Sequence, residues 1–275
     1  MDVHHDGERS DTFIVTREHR RFAEFADAVR KHRYIGVCHG SAGVGKTLSA
    51  RRYAQWDVAE TLLMQWGPRE DSDAKVYAAL ASSGAVFYTP TVGLTLRELR
   101  KELPLLISRV EICIDQHLQP KGTITAGKLG KHVGLIIIDE ADRLSMTALE
   151  YLRDLFDRQG IGLILIGMPG IDKRLARYPQ LYSRVGFAHV YRPLQDEELA
   201  FVLTTRWRHL GVELDDTDFT DVQAVASIVR LTGGNFRLLH RLLVQIERIL
   251  RLNDLHAINE DVVEAARSVL VIGAT

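Results

Sequence analysis

Residues 40–47 read GSAGVGKT, a full match to the pattern G-x-x-x-x-G-K-[ST]. That run suits one chemistry, the holding of a phosphate chain. Glycines let a backbone bend round an anion so that several N–H groups point inward. A helix opening at Lys46 adds the partial positive charge of its N-terminus. Lys46 is expected to reach the β- and γ-phosphates of ATP, and the Thr47 hydroxyl to face Mg²⁺. The amides of Gly40, Ser41, Ala42, Gly43, Val44 and Gly45, with Leu48 behind them, complete the expected cradle. A glycine-rich turn that only spells the motif is the alternative. The apolar stretch before it and the helical pattern after it argue against that.

A second run, residues 135–142, reads LIIIDEAD. Four apolar residues ending in two carboxylates put Asp139 at the carboxyl edge of a buried strand, where open α/β sheets bind ligands. Asp139 is expected to hold Mg²⁺ through a water, and Glu140 to polarise an attacking water. Alone, acids at a strand end could simply be reaching solvent. Lying about 95 residues after the glycine-rich loop, they become its natural complement. Asp142 and Arg143 are expected to pair locally at the surface.

The elements that must position these groups can be read from periodicity. Thr16 is placed to cap a helix to about Lys31, with Phe22, Phe25, Ala26 and Val29 at helical spacing. Tyr34–Cys38 is a short strand, and a helix runs from Lys46 to about Trp56. Thr61–Trp66 and Ala85–Tyr88 are expected as strands, separated by the polar turn Gly67–Asp73 and a short helix at Lys75–Ala81. Thr95 caps a helix from Leu96 towards Leu118, in which Pro104 marks a break or boundary. Gln119–Val133, rich in Gly, Lys and Thr, lacks periodicity and is expected as a mobile loop. Leu135–Ile138, Ile161–Ile166 and Phe187–Tyr191 are strands; Ser145–Arg158 and Ile171–Tyr182 are helices. After Pro193 only helices follow, at about 195–210, 218–231, 235–252 and 259–269. Strands apolar on both faces, alternating with helices, imply an α/β fold with a parallel sheet sandwiched by helices. The expected organisation is a leader at 1–12, an α/β nucleotide-binding domain at 13–192 and a small all-α lid domain at 193–275.

Composition bounds the rest. Hydrophobic residues make up 46% and charged residues 26%, an ordinary globular balance. No apolar run approaches the roughly 20 residues of a membrane span, and the polar start MDVHHDGERSD has no apolar core of a secretory signal. Cys38 and Cys113 are too few for a disulfide framework, so a cytoplasmic location is expected. A net charge of −1 argues against coating nucleic acid with the whole surface, while 35 Lys and Arg leave room for a local basic patch. His4 and His5 read as incidental, and Trp56, Trp66 and Trp207 as packing residues. The acidic stretch Glu213–Asp221 argues against DNA on that part of the lid.

GSAGVGKT, LIIIDEAD and the helical tail containing GGNFR together resemble an AAA+ ATPase. The resemblance implies a polar sensor after the next strand, but LILIGMP (163–169) offers Met168 there, a poor hydrogen-bond partner, so slow, switch-like hydrolysis is expected. It implies an arginine finger before the last strand, for which Arg184 is the candidate and Arg174 and Arg177 the runners-up. It also implies a second sensor arginine on the lid: TGGNFRLLHRLL (232–243) offers Arg237, with Asn235 as a helix cap.

Within that superfamily the spacing, the short lid and the run IIIDEADRL look like the TniB, TnsC and MuB group of transposition ATPases, over roughly residues 15–270, with 58–90 unmatched motif by motif. This implies a homo-oligomer, ring or helical filament, that binds duplex DNA in its ATP state and directs a transposase, with or without a targeting adaptor. The implied DNA contacts are Arg97, Arg100 and Lys101 after the second strand, and Lys121, Lys128 and Lys131 in the loop. With no aromatic residue among them, binding would be to the backbone and salt-sensitive. The alternatives are a secretion-associated ATPase of the ExeA type and an origin-initiator-like ATPase. The first would be expected to carry a membrane helix or peptidoglycan-binding domain after the ATPase, the second a winged helix; neither is read before Thr275, which favours transposition.

Overall fold

The computed structural model describes residues 13–68, 70–119, 130–209 and 218–270. Five parallel strands form one sheet in the order β2-β3-β4-β1-β5, where β1 is Ile35–His39, β2 Ala85–Tyr88, β3 Leu135–Ile138, β4 Gly162–Gly167 and β5 Val185–Val190. The first four strands are almost wholly buried, as a sheet covered on both faces requires. β5, at one end of the sheet, has alternating half-buried and exposed residues.

Helix α1 (Arg17–His32) begins where the Thr16 side chain accepts from the His19 amide, and buries Phe22, Phe25, Ala26 and Val29. α2 (Lys46–Tyr53) follows β1 through the glycine-rich loop. The chain then departs from expectation. Thr61–Trp66 is not a strand: α3 spans Trp56–Met64, burying Trp56, Ala59 and Leu63. Those spacings of three and four residues place one apolar face on the core, and that periodicity outweighs the β-propensity of single residues.

α4 (Ala74–Ser83) packs against α5 (Leu96–Leu118), which opens in a reciprocal cap between Thr95 and Glu98. Pro104 lies inside α5 and does not break it. Its ring removes one ladder donor, at about 3 kcal/mol. Leu99, Leu103, Leu106, Ile107 and Val110 are buried on both sides of it, each contributing roughly 1.5–3 kcal/mol. Packing wins. α6 (Met146–Gln159) is capped by Ser145. The expected helix at 171–182 is instead two short ones, α7 (Ile171–Leu175) and α8 (Pro179–Tyr182), because Pro179 restarts the chain at a first-turn position.

The tail is helical: α9 (Asp196–His209), α10 (Phe219–Thr232), α11 (Phe236–Asn253) and α12 (Glu260–Ser268). Two buried apolar clusters result. One surrounds the sheet; the other joins Leu199, Trp207, Ile228, Leu242 and Ile246 of the tail with Ile14.

Candidate nucleotide-binding site

The GSAGVGKT loop leaves the carboxyl end of β1, the strand flanked by β4 and β5. Gly43 and Gly45 have φ of 79° and 110°, backbone that a side chain would strain. Gly40 has another reason: a Cβ there would lie 2.2 Å from the Tyr191 carbonyl oxygen. Lys46 is buried, and its Nζ donates to the Gly40 carbonyl at 2.5 Å and to that of Ser41 at 2.8 Å. Burial pulls its pKa down, while Cys38, Asp139, Glu140 and Asp142 act the other way. Burial pushes the neighbouring Cys38 thiol up to about 12, so it remains a neutral core residue.

Asp139 ends β3, with the end of β4 between it and the loop. It is buried, accepts the Thr47 hydroxyl at 2.7 Å and accepts the Glu140 amide at 2.9 Å. Its pKa is raised, chiefly by burial, against the two hydrogen bonds that favour its charged form. Glu140 takes a left-handed backbone, φ 49° and ψ 41°, which turns its half-exposed side chain away from the strand direction. Thr47 and Asp139 together present hard oxygen donors, the set that suits Mg²⁺.

A cavity of about 430 Å³ joins these groups: Ala42–Thr47 without Val44, then Asp139, Glu140, Met168, Arg237 and His240 among its walls. A second, of about 200 Å³, shares Gly45, Leu48 and Phe236 with it and continues between Phe13, Ile14, Tyr191 and Leu194. The N-terminus of α11 meets the loop. The Arg237 amide donates to the Gly43 carbonyl at 2.9 Å, and Asn235 Nδ2 to that of Ala42 at 2.9 Å, while Asn235 Oδ1 caps α11 at the Leu238 amide.

The other expected residues are dispersed over the chain. Asp142 and Arg143 do not pair: Asp142 accepts the Met168 amide at 2.6 Å, and Arg143 donates to the Pro90 carbonyl at 2.9 Å. Each ties the turn after β3 to a neighbouring loop. Arg184 precedes β5 and donates to Asp157 Oδ1 at 2.6 Å; Arg174 donates to the Asp142 and Leu144 carbonyls of its own chain; Arg177 is exposed. Arg97, Arg100 and Lys101 are exposed on α5, Arg100 lying 5.4 Å over the Tyr151 ring, and Lys131 is exposed before β3. Lys121, Lys128 and the leader 1–12 lie outside the described residues. The apolar slot of Phe13, Ile14, Tyr191 and Phe236 had no local signal, since three distant segments build it.

The family described as "AAA domain" matches residues 29–175, more than half of the chain. The chain belongs to the AAA family of ATPases. This AAA protein is 43% identical to a "Potential ATP-binding protein" of Staphylococcus aureus, over 96% of this chain and 98% of that one. It is 27% identical to the "Mu-like prophage FluMu DNA transposition protein B" of Haemophilus influenzae, over 82% and 70%. Among solved structures it is similar in fold to the RuvB Holliday junction branch migration motor of Thermotoga maritima, with a TM-score of 0.55 and 16% identity over 94% and 70% of the chains. The ADP form of Aeropyrum pernix ORC2 gives 0.57 and 17% over 96% and 71%. At those identities the likeness is one of fold.

Proposed function

We propose that this AAA ATPase is an ATP-gated, DNA-binding regulator of DNA transposition. It assembles on duplex DNA as a ring or helical filament and directs a transposase, with or without a targeting adaptor, to its target. The observation that carries the gating is the clasp of Asn235 and the Arg237 amide on the Ala42 and Gly43 carbonyls. A lid bonded to the phosphate loop itself must respond to what the loop holds. The transposition part is supported by the similarity to the Haemophilus influenzae protein, and a DNA partner implies a cytoplasmic setting. No described helix is long and apolar enough to cross a membrane.

In this reading the loop amides and Lys46 bind the β- and γ-phosphates, exchanging the Gly40 and Ser41 carbonyls now held by Nζ for stronger charge-assisted bonds. Thr47 and Asp139 would hold Mg²⁺, which supplies neutralisation of phosphate charge. Glu140 polarises the attacking water, and Arg237 reaches the γ-phosphate from the lid. The base lies in the apolar slot with Phe13, Ile14 and Tyr191. Met168 offers no polar sensor, so turnover is slow and the ATP state persists long enough to act as a switch.

Electron microscopy with duplex DNA and a slowly hydrolysed ATP analogue tests the assembly. Rings or filaments at micromolar protein are expected with the analogue and not with ADP. Nucleotide binding without assembly would refute it. Replacing Lys121, Lys128 and Lys131 together with Glu tests the loop: unchanged DNA affinity at moderate salt removes it from the interface.

A further inference from the structure

Three side chains tie the turn that follows Glu140 to its surroundings, and one of them, Arg174, reaches in from another element. Glu140 is in left-handed backbone, a conformation that persists only where its surroundings enforce it. Residues Ala141–Arg143 then form one 3-10 turn, too short to fix that geometry by itself. Arg174, on α7 beyond β4, reaches back to this turn. Its Nη1 donates to the Asp142 carbonyl at 2.9 Å and its Nη2 to the Leu144 carbonyl. The planar guanidinium fork spans two carbonyls with fixed spacing, which a lysine cannot do. The Asp142 side chain adds a second tie, accepting the Met168 amide at the end of β4. Arg143 adds a third, to Pro90 after β2.

We propose that Arg174 is a positioning residue for Glu140 within its own chain, and not a finger offered to a neighbour. The proposal rests on the reading of Glu140 as the group that polarises the attacking water. Glu140 must sit within hydrogen-bond reach of that water, and a displacement of about 1 Å costs on the order of 100-fold in rate. Arg174 touches neither the phosphate loop nor the Thr47–Asp139 pair. Its loss should therefore fall on turnover and spare binding.

The test uses the full chain with duplex DNA and compares Arg174→Ala, Arg174→Lys, Arg184→Ala and Glu140→Gln. For Arg174→Ala the expected result is a kcat lower by roughly 10- to 100-fold, with ATP affinity in calorimetry within about twofold of wild type. Arg174→Lys, which keeps the charge and the stem, should keep the affinity and still lose turnover; it replaces the alanine variant if that one melts early. Mixing decides between chains. Arg174→Ala mixed with Glu140→Gln should give no more activity than the sum of the parts, because each chain carries its own defect. Arg184→Ala mixed with Glu140→Gln should regain activity if neighbours complete each other's sites. Recovery in the Arg174 mixture, or unchanged kcat in Arg174→Ala, overturns the proposal. No recovery in the Arg184 mixture counts against the shared-site reading alone, and a Glu140→Gln chain with full turnover removes the reading on which the proposal rests.

Discussion

Lys46 and the pair Thr47–Asp139 are held before any phosphate arrives, the first by the Gly40 and Ser41 carbonyls and the second by a direct 2.7 Å bond. Lys46→Ala should cost about 3 kcal/mol of nucleotide affinity, roughly 100-fold in Kd, since hydrogen bonds to charged groups contribute about 1.5–3 kcal/mol each; a fluorescent ATP analogue measures it. Asp139→Asn separates the metal from the phosphate. Its amide can still bond the Thr47 hydroxyl, so binding in EDTA should stay near wild type while the gain from adding magnesium disappears. A variant that keeps the full magnesium response would remove Asp139 from the metal site. These residues were legible in the sequence because phosphate chemistry needs contiguous amides and a strand that ends in acid. The partners of Asp142 and Arg174 were not, since a side chain's distant hydrogen-bond partner leaves no trace in its sequence neighbours.

Elements were legible where their apolar period was long, and misread where it was short. α11 and α12 were expected within a few residues of where they lie, but Thr61–Trp66, with its short apolar run Leu62–Met64, looked like a strand and overlaps the end of α3. The N-terminus of α11 does two things at once: Asn235 caps the helix and clasps the loop. Asn235→Ala should lower stability by about 1 kcal/mol through the lost cap, and should also loosen nucleotide binding, which a cap alone would not do. Thermal melts with and without ATP separate the two. The contact of α1 with β5 carries a pH dependence. His189 stacks on Phe25 at 5.4 Å between centroids, and its Nε2 is 3.9 Å from Glu18, too far to bond. Its pKa is lowered from 6.5, chiefly by burial, with Glu18 opposing. A lowered value means that folding favours the neutral ring. Its stability is complete above 6.5 and is lost as pH falls through the lowered value. His189→Phe should flatten the melting temperature across that acid window, and an unaltered profile would place the sensitivity elsewhere.

At the scale of the whole molecule, the sheet separates Arg184 from the phosphates of its own chain. Arg184 precedes β5, whereas the far end of that strand runs to Tyr191 beside Gly40. Seven residues of extended chain span roughly 20 Å, far beyond the reach of an arginine side chain. β5 is also one of the two edge strands of the sheet, a side from which another copy can approach. Within one chain Arg184 is occupied by Asp157, which in turn pairs with Arg153 at 2.7 Å. That exposed ion pair is weakly held and can exchange for a neighbour's γ-phosphate. Hydrolysis per chain should therefore rise with protein concentration and level off once assembly is complete. Arg184→Ala should abolish the rise, lowering the plateau by on the order of 1000-fold if the finger acts as fingers do elsewhere, with ATP affinity little changed in dilute protein. A rate per chain that stays constant on dilution well below the assembly concentration would place every catalytic group inside a single chain. The edge strand would then be only an edge.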